Sequence, residues 1–188
     1  MTTLLNRTNT AVVVIDVQNG VMDGAFEREA VIGRIGALVE RARAAQVPVI
    51  WVRHNDEELQ VGSDAWQYVP ELQRTEQEAV VEKSFGDAFE DTSLEQLLHE
   101  RSVGHLILAG AQSDQCIRCT LHGAFTRGYD VTLAGDAHTT VDLSVYGAPP
   151  PQQVIAHTNL YWRYQAAPGR TAAVTDAADI TFTPSPAD

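Results

Sequence analysis

Four short runs of apolar, largely β-branched residues recur along the chain without the polar alternation of a half-solvated strand. They are AVVVIDV (11–17), VPVIWVRH (47–54), EAVVEK (78–83) and GHLILAG (104–110). A strand that is apolar on both faces must be covered on both faces, which is what a parallel sheet flanked by helices provides. YDVTLAG (129–135) makes a fifth, and a sixth strand is expected within TAAVTDAADITF (171–182), where AAV and DITF compete. Between these runs the apolar spacing changes to three and four residues. Residues 27–46 carry Val31, Ile35, Leu38, Val39 and Ala42 in that pattern, and 93–101, 115–128 and 151–166 read similarly. Alternating strand and helix predicts an α/β doubly wound domain with a mostly parallel sheet and helices on both faces. At 188 residues with 44% hydrophobic content, one domain spanning 1–188 is the expectation. Residues 55–77, polar and interrupted by Gly62 and Pro70, read as a long connection: a surface loop or a lid.

Charge narrows the partners. Thirteen basic against 25 acidic residues give a formal net charge of -12, which repels phosphate backbones and anionic lipid surfaces. A small molecule is the expected partner, rather than nucleic acid or membrane. MTTLLNRTNT lacks the pattern of a secretory signal, and no run approaches the ~18 apolar residues of a membrane span, so a cytoplasmic protein is expected. Its two cysteines, three residues apart, cannot staple a fold of this size, and a reducing compartment keeps them as thiols.

In open parallel sheets, ligands bind beyond the carboxyl ends of the strands, where the strand order reverses. Three ionisable residues are placed at such ends: Asp16 in VVVIDVQ, Lys83 in VVEKS, and Cys116 just past LILAGAQSD. A carboxylate closing an apolar run is costly unless paired, and an ammonium is its natural partner. If the three converge, Lys83 and a helix start near Cys116 favour thiolate below the usual thiol pKa of ~8.5, whereas Asp16 opposes it. Asp16 then makes sense as the acceptor of the thiol proton and its later donor to a leaving nitrogen. Cys116 has two other readings. It is half of a CxxC redox pair with Cys119, which leaves Asp16 and Lys83 unexplained, or it is a buried thiol without chemistry. Cys119, one helical turn on, reads as a packing residue.

These segments resemble the isochorismatase-like cysteine hydrolases, a family that includes nicotinamidases, ureidoacrylate and biuret amidohydrolases, streptothricin hydrolase and isochorismatase. AVVVIDVQNG is similar to the family's first strand with its catalytic aspartate. EKSFGDAFEDTSL is similar to the segment carrying the catalytic lysine, and LILAGAQSDQCIRCTLHGAFTRGYDVTLAGDA to the nucleophile loop, helix and next strand. The resemblance implies a six-stranded sheet in the order 3-2-1-4-5-6, with Asp16, Lys83 and Cys116 as the catalytic set. It also implies a non-proline cis peptide between Ala111 and Gln112, aiming the backbone N–H groups of Gln112 and Cys116 at one oxyanion. The implied activity is cleavage of a C–N bond in a small amide, lactam or ureido compound through a thioester, by a homodimer or homotetramer. A vinyl-ether hydrolase, a nicotinamidase and a catalytically silent binding homologue are the alternatives.

The chain departs from nicotinamidases after the second strand. Where they carry an Asp-x-His metal element, it reads WVRHNDEE, and His54 lacks partners at short spacing, so no metal and no other cofactor are expected. His54 is assigned to the substrate pocket, with a structural, loop-capping role as the competing reading. Gln18, two residues after Asp16, is placed there as a group that orients Asp16 or touches substrate, and Phe26 as a cover. Tyr161 and Trp162, on the last helix, read as core or subunit interface.

Overall fold

The computed structural model describes residues 2–182. Its strands are β1 (Asn9–Ile15), β2 (Val49–His54), β3 (Ala79–Lys83), β4 (Val103–Ala111), β5 (Asp130–Thr139), β6 (Ala166–Ala167) and β7 (Arg170–Thr175). They form one sheet in the order β3-β2-β1-β4-β5-β7-β6. Leaving β6 aside, every pairing is parallel, and the order is the expected 3-2-1-4-5-6. Strand β6 is an addition. Its two residues turn back through Gly169 (φ 68) onto β7 as an antiparallel hairpin, too short to leave a periodic signal. AAV rather than DITF supplies the sixth parallel strand; Ile180 from the second segment packs into the core instead.

The helices are α1 (Asn19–Met22), α2 (Arg28–Ala44), α3 (Leu94–Glu100), α4 (Arg118–Arg127) and α5 (Pro151–Arg163). Successive residues of a strand face opposite sides, so each apolar run of the sequence feeds two cores. Val12 and Val14 join Val31, Ile35, Leu38, Val39 and Ala42 of α2 on one face. Ala11, Val13 and Ile15 join Leu94, Leu98, Leu121, Phe125 and Trp162 from α3, α4 and α5 on the other. Each Val, Leu, Ile or Phe side chain among them contributes about 1.5–3 kcal/mol when fully buried. Trp162 is therefore core, as one of its two readings had it.

Two differences from the expected elements bear on function. Strand β5 runs on to Thr139, four residues past the predicted end. The helix expected from residue 115 is broken: a π-type turn spans Ser113–Ile117, with Gln115 outside helical geometry (φ -122, ψ -105), and α4 begins only at Arg118. The 55–77 connection is also well tied. Gln18 and Tyr68 form an isolated antiparallel bridge, and N–H groups of Asn19 and Gly20 donate to carbonyls of Gln67 (2.8 Å) and Ala65 (2.9 Å). Val69 N–H donates to Val17, and the Val69 side chain is fully buried.

Candidate active site

Asp16 follows the last residue of β1 in the left-handed region (φ 50), a conformation that aspartate tolerates better than most residues. Gly110 (φ 128), the register partner of Ile15 across the sheet, lies so close that a Cβ there would fall on the Ile15 carbonyl oxygen. The absence of a side chain at Gly110 is what lets β1 and β4 pack together immediately beneath the site. Lys83 ends β3, two strands away. Its four-carbon stem carries the ammonium over the end of β2, past its register partner His54. Cys116 arrives from the other side, on the turn after β4. The site thus stands where β1 and β4 lead off in opposite directions, the reversal point at which such sheets bind ligands.

The ammonium of Lys83 has three N–H donors, and three acceptors meet it. Nζ lies 2.7 Å from Asp16 Oδ2, 2.9 Å from His54 Nδ1 and 3.1 Å from Cys116 Sγ. Because His54 Nδ1 accepts, the ring proton sits on Nε2, which faces Asp56 Oδ2 at 3.2 Å. His54 therefore borders the cavity and touches the charged centre. The loop-capping role belongs instead to Asp56, whose Oδ1 accepts from the N–H groups of Glu58 and Leu59. Donor atoms of Asp16, His54 and Cys116 lie within 4.8 Å of one another, close enough for a metal ion. The Lys83 ammonium contacts all three residues and supplies the positive charge such an ion would bring.

Burial decides the protonation states. It pushes the Asp16 carboxyl above its usual range, with Lys83 only partly offsetting it. Burial alone would lower Lys83, but the charges of Asp16 and Cys116 prevail and hold it charged above its usual value. Burial, followed by the Asp16 charge, pushes the Cys116 thiol up to about 12 against the pull of Lys83. The expectation of a thiol lowered by a helix start and a cation is thus reversed, because burial and the Asp16 charge outweigh Lys83. At rest the sulfur keeps its proton, next to a carboxylate made more basic. Asp16 Oδ1 is buried and has no hydrogen-bond donor among the described residues.

A cavity of about 680 Å³ opens over this centre, lined by Asp16, His54, Gln112 and Cys116 among others. The Ala111–Gln112 peptide is cis, as the resemblance implied. Gln112 oxygen accepts from the N–H groups of Gln115 and Ile117, either side of Cys116. Two of the expected pocket residues lie elsewhere. Gln18 is fully buried and does not line the cavity; its amide bonds the backbone of His54 and the carbonyl of Trp66. Phe26 lines a separate depression with Val31, Arg34 and His138, on the α2 side. The loop after β1 turns toward β5, where Phe26 N–H meets the Thr140 carbonyl, and this takes the ring away from the thiol. Cys119, read as packing, is exposed at the cavity and near Gly86.

Several site residues have no counterpart in the sequence reading. Asp56, Glu58 and Asp114 line the cavity. Beneath the nucleophile turn, Ser113 Oγ meets Nδ1 of the buried His138 at 2.7 Å, and His138 Nε2 meets Asn159 Oδ1 at 3.0 Å. Asn159 Nδ2 donates to Gly135 oxygen, so Oδ1 is its acceptor end, His138 donates from Nε2, and Ser113 donates to Nδ1. Thr140 donates to Asp114 from the same strand end. A simple count would have strengthened one assignment: Lys83 is the only lysine in the chain.

Fold and site define an α/β protein with a buried acid and ammonium and a half-buried thiol at the carboxyl edge of a parallel sheet. Comparison with known proteins agrees: the Isochorismatase domain profile matches residues 10–178. The chain belongs to the isochorismatase family and is a hydrolase of that family. Streptothricin hydrolase of Streptomyces noursei is 32% identical over 139 residues, 71% of this chain but only 55% of the relative's length. Ureidoacrylate amidohydrolase of an Enterobacter species is 28% identical, over 69% of this chain and 74% of its own. An isochorismatase structure from Pseudomonas putida superposes with a TM-score of 0.82 at 27% identity, covering 92% of this chain and 90% of that one.

Proposed function

We propose that this protein is a cysteine hydrolase that cleaves the C–N bond of a small amide, lactam or ureido compound through a thioester, without a metal. The observation that carries the reading is the Lys83 ammonium in simultaneous contact with Asp16 and Cys116, both of which open onto the cavity. Relatives named for streptothricin and ureidoacrylate hydrolysis support the bond type.

As sulfur attacks, the Cys116 proton passes to Asp16, the C–S bond forms, and the carbonyl π pair moves onto oxygen. The N–H groups of Gln112 and Cys116 receive that oxyanion. Collapse of the adduct expels the nitrogen, which takes the proton from Asp16 and leaves as amine or ammonia. Water then adds to the thioester, giving its proton to Asp16. The acid product departs as sulfur recovers that proton. Lys83 keeps its charge throughout, holding Asp16 in place and stabilising negative charge on sulfur.

The test is a panel of small amides followed by substrate depletion and intact mass. The expected result is an acyl adduct on Cys116, released by hydroxylamine, with turnover lost in Cys116→Ala. Equal turnover by that variant and wild type would overturn the proposal.

A further inference from the structure

The charges around the cavity are one-sided. Asp16 lies at its base, Asp56 and Glu58 come from the loop after β2, and Asp114 comes from the turn after β4, while among the described residues no lysine or arginine lines it. The one cation nearby, Lys83, is matched by Asp16. Asp56 is engaged by its own loop and by His54, and Asp114 by Thr140 Oγ1. Glu58 is exposed and makes no ion pair among the described residues. At the base of the same cavity, Asp16 is taken up by Lys83 and the Cys116 thiol, so its charge is not available to the walls.

Such a lining works against the reaction if the substrate is neutral. Attack on an amide carbonyl creates an oxyanion beside these walls; Lys83 answers it once Asp16 has taken the thiol proton, but no lysine or arginine among the described residues answers Glu58, Asp56 and Asp114. A positive group on the substrate removes the conflict and gives those carboxylates a partner. Building on the hydrolase reading above, we infer that the substrate is a cationic amide, carrying an ammonium or guanidinium that sits against Glu58, Asp56 and Asp114 while its carbonyl lies over Cys116.

Two measurements test this. The first compares kcat/KM for 5-aminopentanamide, pentanamide and 4-carboxybutanamide, which differ in terminal charge. The expected order is cationic, neutral, anionic, with about tenfold between successive members at low salt, the scale of a few partly exposed ion pairs. That spread should shrink at high ionic strength, where the Debye length shortens. It should also narrow in Glu58→Gln and Asp114→Asn, through KM. The second measures protection of Cys116 from iodoacetamide by pentylammonium and by pentanoate, which requires no turnover. Tryptic cleavage after Arg118 separates Cys116 from Cys119 for readout. Pentylammonium should protect at the lower concentration.

Equal or reversed protection, or neutral amides turned over at least as well as the cationic one, would overturn the inference and leave the hydrolase reading standing. Selective protection by pentylammonium without an acyl adduct from any amide in the panel would count against the hydrolase reading while supporting a cation-selective cavity.

Discussion

The Gln18 side chain and the His54 peptide bond each other twice: Nε2 donates to the His54 carbonyl at 2.9 Å, and the His54 N–H donates to Oε1 at 2.7 Å. This clip fixes the end of β2 to the segment after β1, and with it the ring that accepts from Lys83. Gln18→Ala leaves those groups and the Trp66 carbonyl unpaired in a buried place. It should cost about 2 kcal/mol, read as a lower urea midpoint at unchanged slope. Gln18→Glu should cost at least as much, because a carboxylate would face two carbonyl oxygens.

Asp16→Asn should move two observables in opposite directions. Removing the carboxylate leaves Lys83 unopposed beside the thiol, so alkylation of Cys116 by iodoacetamide at pH 8 should speed up. Amide turnover loses its proton acceptor and should fall by about 100-fold or more. A slower alkylation would show that the Asp16 charge does not hold the thiol up.

The raised Cys116 thiol sets a stability slope at high pH. Unfolding returns it from about 12 to its ordinary 9.0. Between those values the unfolded chain binds fewer protons than the folded one, so stability falls as pH rises through that window. Cys116→Ala lacks this contribution. The difference in unfolding free energy between wild type and variant should therefore tilt by up to about 1.4 kcal/mol per pH unit above pH 9, measured by urea titration at each pH.

Gly110→Ala tests the packing beneath the site. A methyl group there meets the Ile15 carbonyl in a backbone conformation that L side chains avoid. The expected loss is about 3 kcal/mol, with a lower thermal midpoint and lower soluble yield.

The sheet was legible because its strands are buried on both faces, which leaves unbroken apolar runs at Val12, Ile50 and Leu108. Asp16, Lys83 and Cys116 were legible as ionisable groups placed where such runs stop. What lay beyond reach was set by tertiary contacts. Gln18 shares a strand side with Asp16 by simple alternation, yet the left-handed turn at Asp16 sends it to the backbone of β2. Cys119 follows Cys116 by one helical turn only on paper, since the π-type turn intervenes, and it emerges at the cavity. Asp56, Glu58 and Asp114 lie in connections without periodicity, so nothing in their spacing marks them as walls. His138 sits beyond the predicted end of β5, and only the longer strand brings it under Ser113.

The segment from Ala65 to Val69 is held to Val17, Gln18, Asn19 and Gly20 by backbone pairing, and Val69 is sunk in the core. A partition stitched to the frame along its length does not swing. Reactant and product are then expected to exchange through a standing aperture, with no opening step at this segment. Thickening the solvent with sucrose should leave kcat unchanged, and enlarging the range of accepted molecules would require trimming the side chains of Leu59 and Ala65 at the rim rather than loosening the chain that carries them.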